Sequence, residues 1–381
     1  MQRIKTTLIL LVMVNLTISF IAVHSWAETP VIGFISQDTT WTRANSPYVT
    51  LGSIIVKEGV TLTVEPGVTV QFDSGHSLTI EGMLIARGTG KQGIKFTPKG
   101  DQKPGAWGGI VFEDSSIDAK FDELNYVSGS ILQYCTVEFA ETAVKANSAS
   151  PFISHCMISN NAGRGISISK GDIVVIRDST VADNKGGGIS VEESDVITLT
   201  GNIVTGNYVK SAQGGGIYVK GGTATISNNT LTGNTVKGGD HDDFMGGDGY
   251  GGGIYISGRI YVSGIINVAG GTATISNNTL TRNTAKGGKG KKKEGDGNGG
   301  GIYAGGTTTI NNNAITENRS SYNAAIAYFS SQDITSNLIA NNVAEGSGDT
   351  AAVSIVGNPK FTGNTIIGNV LPKRCSPRMH P

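Results

Sequence analysis

Residues 237–250 read KGGDHDDFMGGDGY, and residues 286–298 read KGGKGKKKEGDGN. The first stretch sets Asp240, Asp242, Asp243 and Asp248 against Lys237. Several carboxylates in a glycine-rich loop supply the hard oxygen ligands that Ca²⁺ takes, so these four are candidate calcium ligands. The second stretch sets Lys286, Lys289, Lys291, Lys292 and Lys293 against Glu294 and Asp296. Ammonium groups so arranged can hold the carboxylates of an acidic glycan, with Lys291, Lys292 and Lys293 as candidate substrate-binding residues. Solvated loops of opposite sign that pair for little energy are the alternative. Each stretch runs into Gly-Gly-Gly-Ile-Tyr, ending at Tyr255 and at Tyr303, and Tyr218 closes a similar phrase, Gly216-Ile217-Tyr218. A tyrosine ring offers an apolar face and a hydrogen-bonding tip. Tyr218, Tyr255 and Tyr303 on one face would therefore suit stacking on sugar rings, or would simply pack on one another across strands.

The elements that must position these residues show in an internal repeat. GGTATISNNTLTGNT, residues 221–235, returns as GGTATISNNTLTRNT at 270–284, with Gly233 replaced by Arg282. Both are copies of one template, apolar-x-x-Asn-x-apolar-x-x-Asn. It reads Ile226/Asn229/Leu231/Asn234, Ile275/Asn278/Leu280/Asn283 and Ile310/Asn313/Ile315/Asn318 in the middle of the chain. Degenerate copies reach back to Ile153/Cys156/Ile158/Asn161 and Leu132/Cys135/Val137/Ala140, and the last copy is Phe361/Asn364/Ile366/Asn369. Periods of this size mark a solenoid. Between copies lie alternating runs such as Gly188-Ile189-Ser190-Val191, which have strand period and not helix period. Each period thus predicts about three short strands joined by Gly/Asn/Ser turns, stacked on its neighbours as parallel sheets. The fixed asparagines suit two tasks: left-handed turn positions, and amide ladders between rungs ~4.8 Å apart. The expected fold is all-β, a parallel β-helix of about a dozen rungs over residues 61–370. Residues 28–60 supply a cap and first strands, and 371–381 form an unpatterned tail.

This template resembles the right-handed parallel β-helix of the pectin-lyase-like fold, in its bacterial exported form. Val60–Val68 (VTLTVEPGV) and Ala106-Trp107-Gly108-Gly109-Ile110 resemble that group's opening rungs. The resemblance spans about residues 38–370 and implies the hand of the coil. It does not imply one activity, because the fold hosts lyases, hydrolases, adhesins and spacers. A uronate lyase of this kind would need an acidic calcium cluster beside a Lys or Arg base. Asp240, Asp242 and Asp243 with Arg282 or Lys286 have the residue types, but no lyase motif surrounds them. The Asn-Thr-Asp motif of the polygalacturonases is absent, and Gly75-His76-Ser77 reads as a turn. Gly246–Gly251 (GGDGYG) begins like a calcium-binding nonapeptide but has Gly251 where that repeat needs Asp.

Arg3, Lys5, the apolar Leu8–Val23 and Ser25-Trp26-Ala27 read as a signal peptide over residues 1–27. Export to the periplasm, cell surface or medium is expected. The whole chain has 30 basic and 30 acidic residues, so no basic excess invites nucleic acid. Three cysteines among 381 residues cannot make a disulfide scaffold. Cys135 and Cys156 fall in the asparagine column and should be buried thiols, with a disulfide as the alternative. The expected function is an exported, non-catalytic scaffold that binds polysaccharide along the loop-and-tyrosine edge, with calcium as the one cofactor suggested. The alternatives are a polysaccharide lyase or hydrolase acting on an acidic polysaccharide, and a structural spacer or adhesin.

Overall fold

The computed structural model describes residues 28–211, 213–240, 246–257, 271–323, 325–345 and 351–371. The expected signal peptide, Asp242, Asp243 and Cys375 lie outside the described residues. Within them the regular structure is strand, apart from one 3-10 turn at Arg43–Asn45.

Each rung of the middle region contributes a strand to each of three parallel stacks. In the opening repeat these are Thr223–Ser227, Thr230–Thr232 and, after the loop, Ile254–Ser257. The stack holding Thr223–Ser227 is the broad sheet, with twelve strands from Thr39–Trp41 to Phe361–Thr362. The other two stacks are joined at the top by Tyr48–Val56, which pairs with Thr69–Phe72 at one end and Ser77–Ile80 at the other. A narrower stack of five strands, including Tyr208–Lys210, Thr235–Lys237 and Thr284–Lys286, follows the second turn. Twelve rungs agree with the number the repeat implies.

The sequence alternates because the coil has an inside. In Thr223–Ser227, Ala224 and Ile226 are buried while Thr223 and Thr225 are exposed. The apolar inward residues form one continuous core, from Trp41 and Tyr48 at the top to Ile334 and Ile339. Register across the broad sheet runs without a bulge through Val196–Thr200, Thr223–Ser227, Thr272–Ser276 and Thr307–Asn311.

Two asparagine ladders line the turns. One runs Asn202, Asn229, Asn278, Asn313, Asn337, Asn364, and the other runs from Asn161 to Asn369. The bonding is the same at each step. The backbone N–H and the Nδ2 of Asn207 both donate to Oδ1 of Asn234, at 3.1 and 2.9 Å. Asn234 Nδ2 in turn donates to the Val204 carbonyl and to Asn283 Oδ1. The degenerate copies keep half of this arrangement. Cys156 and Cys135 are free and buried, and their thiols lie 3.4 Å from the carbonyls of Leu132 and Ala86. Burial pushes the Cys135 thiol well up, which makes it a packing group and not a nucleophile.

One of the two tasks assigned to the asparagines belongs to their neighbours. The left-handed residue at each turn is the one before the ladder asparagine: Asn228 (φ 57), Gly233 (φ 65), Asn277 (φ 57), Arg282 (φ 55). The ladder side chain must turn inward to reach its partners, and the preceding residue takes up the sharp bend. The single difference between the two long copies, Gly233 against Arg282, therefore falls on a turn residue that points outward.

Replacing Asn234 with Ala strands the Asn207 N–H away from water and takes one partner each from Asn207 Nδ2, the Val204 carbonyl and Asn283 Oδ1, which keeps only the backbone N–H of residue 234. At about 1–3 kcal/mol for each unsatisfied buried group, Asn234→Ala should lower stability by several kcal/mol. The same change at Asn369 takes the acceptor from the Asn342 N–H and Nδ2 and the donor from the Ile339 carbonyl. But Asn369 is only half-buried and water can replace it, so the cost should be about 1 kcal/mol. The difference will appear as a large separation between the two urea midpoints.

Candidate functional site

The two charged loops come from adjacent rungs and leave the coil at the same place, between Thr235–Lys237 or Thr284–Lys286 and the following Gly-Gly-Gly strand. They are stacked on each other in order, and do not lie as separate solvated loops. Gly249–Tyr250 pairs in parallel with Gly297–Asn298. The Gly238 N–H donates to the Lys286 carbonyl (2.9 Å), Gly246 to Lys293 (3.0 Å) and Gly288 to Gly247 (2.7 Å). Glycine is required here for room. A Cβ on Gly246 would run into the Gly288 carbonyl oxygen, and one on Gly288 into that of Gly239. The result is a ledge of close-packed backbone projecting from the coil.

Two described carboxylates of the first loop, both exposed, are bonded into this ledge. Asp240 lies between Lys210 and Lys237, each with its Nζ at 2.9 Å, and its Oδ1 accepts the Lys289 N–H at 2.8 Å. The Lys289 amide, followed by the Lys237 and Lys210 ammonium groups, holds the Asp240 carboxyl far below the usual carboxylate range. Asp248 Oδ1 accepts the Asp296 N–H (2.7 Å) and Oδ2 accepts the Tyr250 hydroxyl (2.8 Å). A carboxylate flanked by two ammonium groups is a poor calcium ligand, because the cation would have to displace like charge. Among the described residues no three His, Cys, Asp or Glu side chains gather as a metal cluster. Asp240 and Asp248 thus tie the loops together, and no step is assigned to a metal. Arg282, a candidate base by residue type, is paired with Glu317 at a turn (2.9 Å).

Lys286, Lys289, Lys291, Lys292 and Lys293 are all exposed. Lys210, Lys237 and Lys286 stand in one column, because their strands pair residue for residue. The repeated Asn-x-x-Lys at 207–210, 234–237 and 283–286 is the sequence signal for this column. It shows that Lys210 belongs to the site although it lies a full rung before the first loop.

Tyr218, Tyr255 and Tyr303 do form a column in register, preceded by Ser190 and followed by Ala327. Their rings lie face to face, with centroids 5.2 Å apart and planes within 8°. The outer faces are also covered. The Arg164 guanidinium stands 5.3 Å over Tyr218, and Phe329 lies 5.3 Å from Tyr303. Tyr250 packs edge-on against Tyr303 at 4.9 Å, and Tyr255 is 3% exposed. Outward residues on a solenoid repeat at nearly the thickness of a ring, so the faces close on one another. What the column offers a ligand is its edge. Burial first, then the neighbouring carboxylates and rings, pushes Tyr218 and Tyr303 up to about 12, so both remain neutral hydrogen-bond donors at ordinary pH.

Comparison with known proteins follows the fold. A family model described as "Right handed beta helix region" matches residues 67–260. Protein bark beetle of Drosophila melanogaster is 44% identical over 57 residues, which are 15% of this chain and 2% of that protein. This chain therefore spans a very small part of that relative. The structure of the Yersinia enterocolitica family 28 exopolygalacturonase aligns over 90% of this chain and 72% of its own, at 12% identity and a TM-score of 0.22.

Two outcomes test the ledge. Gly288→Val should open it and raise the rate of tryptic cleavage after Lys289–Lys293 at least tenfold, while Gly233→Ala, at an open turn, should leave that rate unchanged. Asp240, with its pKa depressed in the folded state, contributes stability above its unfolded value near 3.8. That contribution is lost only as pH falls through the lower folded value. A carbon-detected carboxyl titration should accordingly find Asp240 still ionised at pH 3.8.

Proposed function

The chain belongs to the right-handed β-helix family, and from that premise we propose that it is a non-catalytic scaffold that holds an acidic polysaccharide on the lysine ledge. One observation carries this reading. Asp240 and Asp248, exposed themselves, are bonded to backbone amides of the adjoining loop, and Lys289, Lys291, Lys292 and Lys293 are exposed beside them. A polyanion with a charge on every sugar matches such a run of lysines. Single exposed ion pairs are worth only about 0–1 kcal/mol, so affinity must come from several engaged at once. The edge of the tyrosine column, beside Tyr250 at the root of the ledge, adds neutral hydroxyl donors for sugar oxygens.

The reading as a scaffold rests on how the acidic groups are used. Hydrolysis of a glycoside bond needs two carboxylates free to act as acid and base across it. Asp240 and Asp248 are instead committed to backbone amides and lysines. An exported, surface-exposed setting, which the first 27 residues suggest, would supply such a polymer.

Polygalacturonate is a suitable probe. The full chain should be retained on it, and a severalfold rise in salt should release it, as screening over about 10 Å at 0.1 M requires. Lys291→Glu/Lys292→Glu/Lys293→Glu should weaken retention at least tenfold, while a neutral glucan should not retain the chain. Release of unsaturated or reducing sugar from the probe would make the protein an enzyme and overturn the reading.

A further inference from the structure

We propose that the broad sheet carries a second binding surface, for ice, over the four rungs between Val196 and Asn311. The face is separated from the lysine ledge by both turns of each rung. Its three outward positions are Val196, Thr198 and Thr200 in the first of these rungs. Thr198 pairs in register with Thr225, Thr225 with Thr274, and Thr274 with Thr309. Beside this middle column stand Thr223, Thr272 and Thr307, all exposed. On the other side Thr200 is followed by Ser227, Ser276 and Asn311. Among the described residues no charged group and no ring stands at these outward positions.

Strand preference alone favours threonine at such positions. It does not explain the loss of everything else. The same outward positions one and four rungs before Val196–Thr200 carry Arg177 and Arg87, with Ile173 and Met83 at the leading position. A surface selected for solubility alone mixes charges of both signs. Here eight of the twelve outward positions are threonine, a hydroxyl beside a methyl, and two more are serine.

The geometry of the patch is that of a net. Neighbouring rungs lie ~4.8 Å apart and outward residues along a strand ~6.6 Å apart. The register across all four rungs is unbroken, so the hydroxyls repeat in two directions. Each has one donor and two acceptor positions. Within the protein the Ser227 hydroxyl donates to Thr200 Oγ1 at 3.3 Å, and the other hydroxyls of the patch face solvent. Water held on this net is ordered in two dimensions, with methyl groups filling the gaps between. An ice face is also a two-dimensional net of donors and acceptors, with oxygen rows repeating on the same scale. A sugar site would look different, with a concave wall and a ring face beside a few convergent polar groups. This patch is an outward sheet face with no ring among its side chains.

The test freezes a dilute solution of the full chain slowly onto a cold probe, with a similar-sized inert protein as internal reference. The expected result is at least tenfold enrichment of the chain in the ice relative to the reference. Thr225→Lys/Thr274→Lys should abolish that enrichment and keep the melting curve and the polygalacturonate retention of the parent. If that pair melts early, Thr223→Lys/Thr272→Lys, at the exposed column, takes its place with the same expectation. Exclusion of the parent chain from ice would overturn the proposal, as would lysine variants that partition like the parent. Retention on crystalline cellulose that the lysine pair abolishes, without ice enrichment, would reassign the face to a glycan and also overturn it. The ledge reading stands apart, since its probe reports on different residues.

Discussion

The asparagine amide ladder is the constraint on which the rest depends. A parallel sheet by itself permits slippage by two residues, because the same face stays buried. A buried amide that takes two donors from the rung before, and gives its own to the rungs on either side, leaves one register satisfied. Any slip would strand several polar groups in a core that is otherwise apolar. With register fixed, whatever is written outward at one offset becomes a column on the surface. The lysine column, the tyrosine column and the threonine net are three such columns, each a direct product of the repeat.

This explains which features were legible in the sequence. The fold was legible because the template recurs at fixed offsets, and Ile226, Asn229, Leu231 and Asn234 each have one job in every rung. The meeting of the two loops was legible too, since both interrupt the template at the same place. The condition of the tyrosine rings was not. Alternation puts Tyr218, Tyr255 and Tyr303 outward, but whether their faces stay open depends on rung spacing and on Arg164 and Phe329, which lie far away in sequence. The partner of Asp240 was equally hidden. Lys210 lies 30 positions earlier and reaches it only because one rung stacks on the next. Threonine on the broad sheet carries no signal of its own, because a strand former on a strand is ordinary until the register of four rungs is known.

The ledge shows how a solenoid can build a site without disturbing its coil. Two insertions of similar length, rich in glycine, continue the stacking of the rungs beyond the body of the helix. Their close backbone contacts need glycine for space, and their acidic residues hold the layers together by binding amides and lysines of the adjoining layer. The carboxylates Asp240 and Asp248 stay at the surface but are held by amides, lysines and Tyr250, while Lys289, Lys291, Lys292 and Lys293 are exposed beside them.

The central claim is that ladder register extends into the loops and so builds the lysine surface. Hydrogen exchange of the full chain, resolved to single amides, tests it most directly. The account predicts that Gly246, Gly288 and Lys289 exchange slowly, and that Asn283→Ala speeds all three although it touches none of them. Fast exchange at these amides in the parent chain, beside slow exchange in the flanking rungs, would contradict it and leave the lysines on unstructured loops.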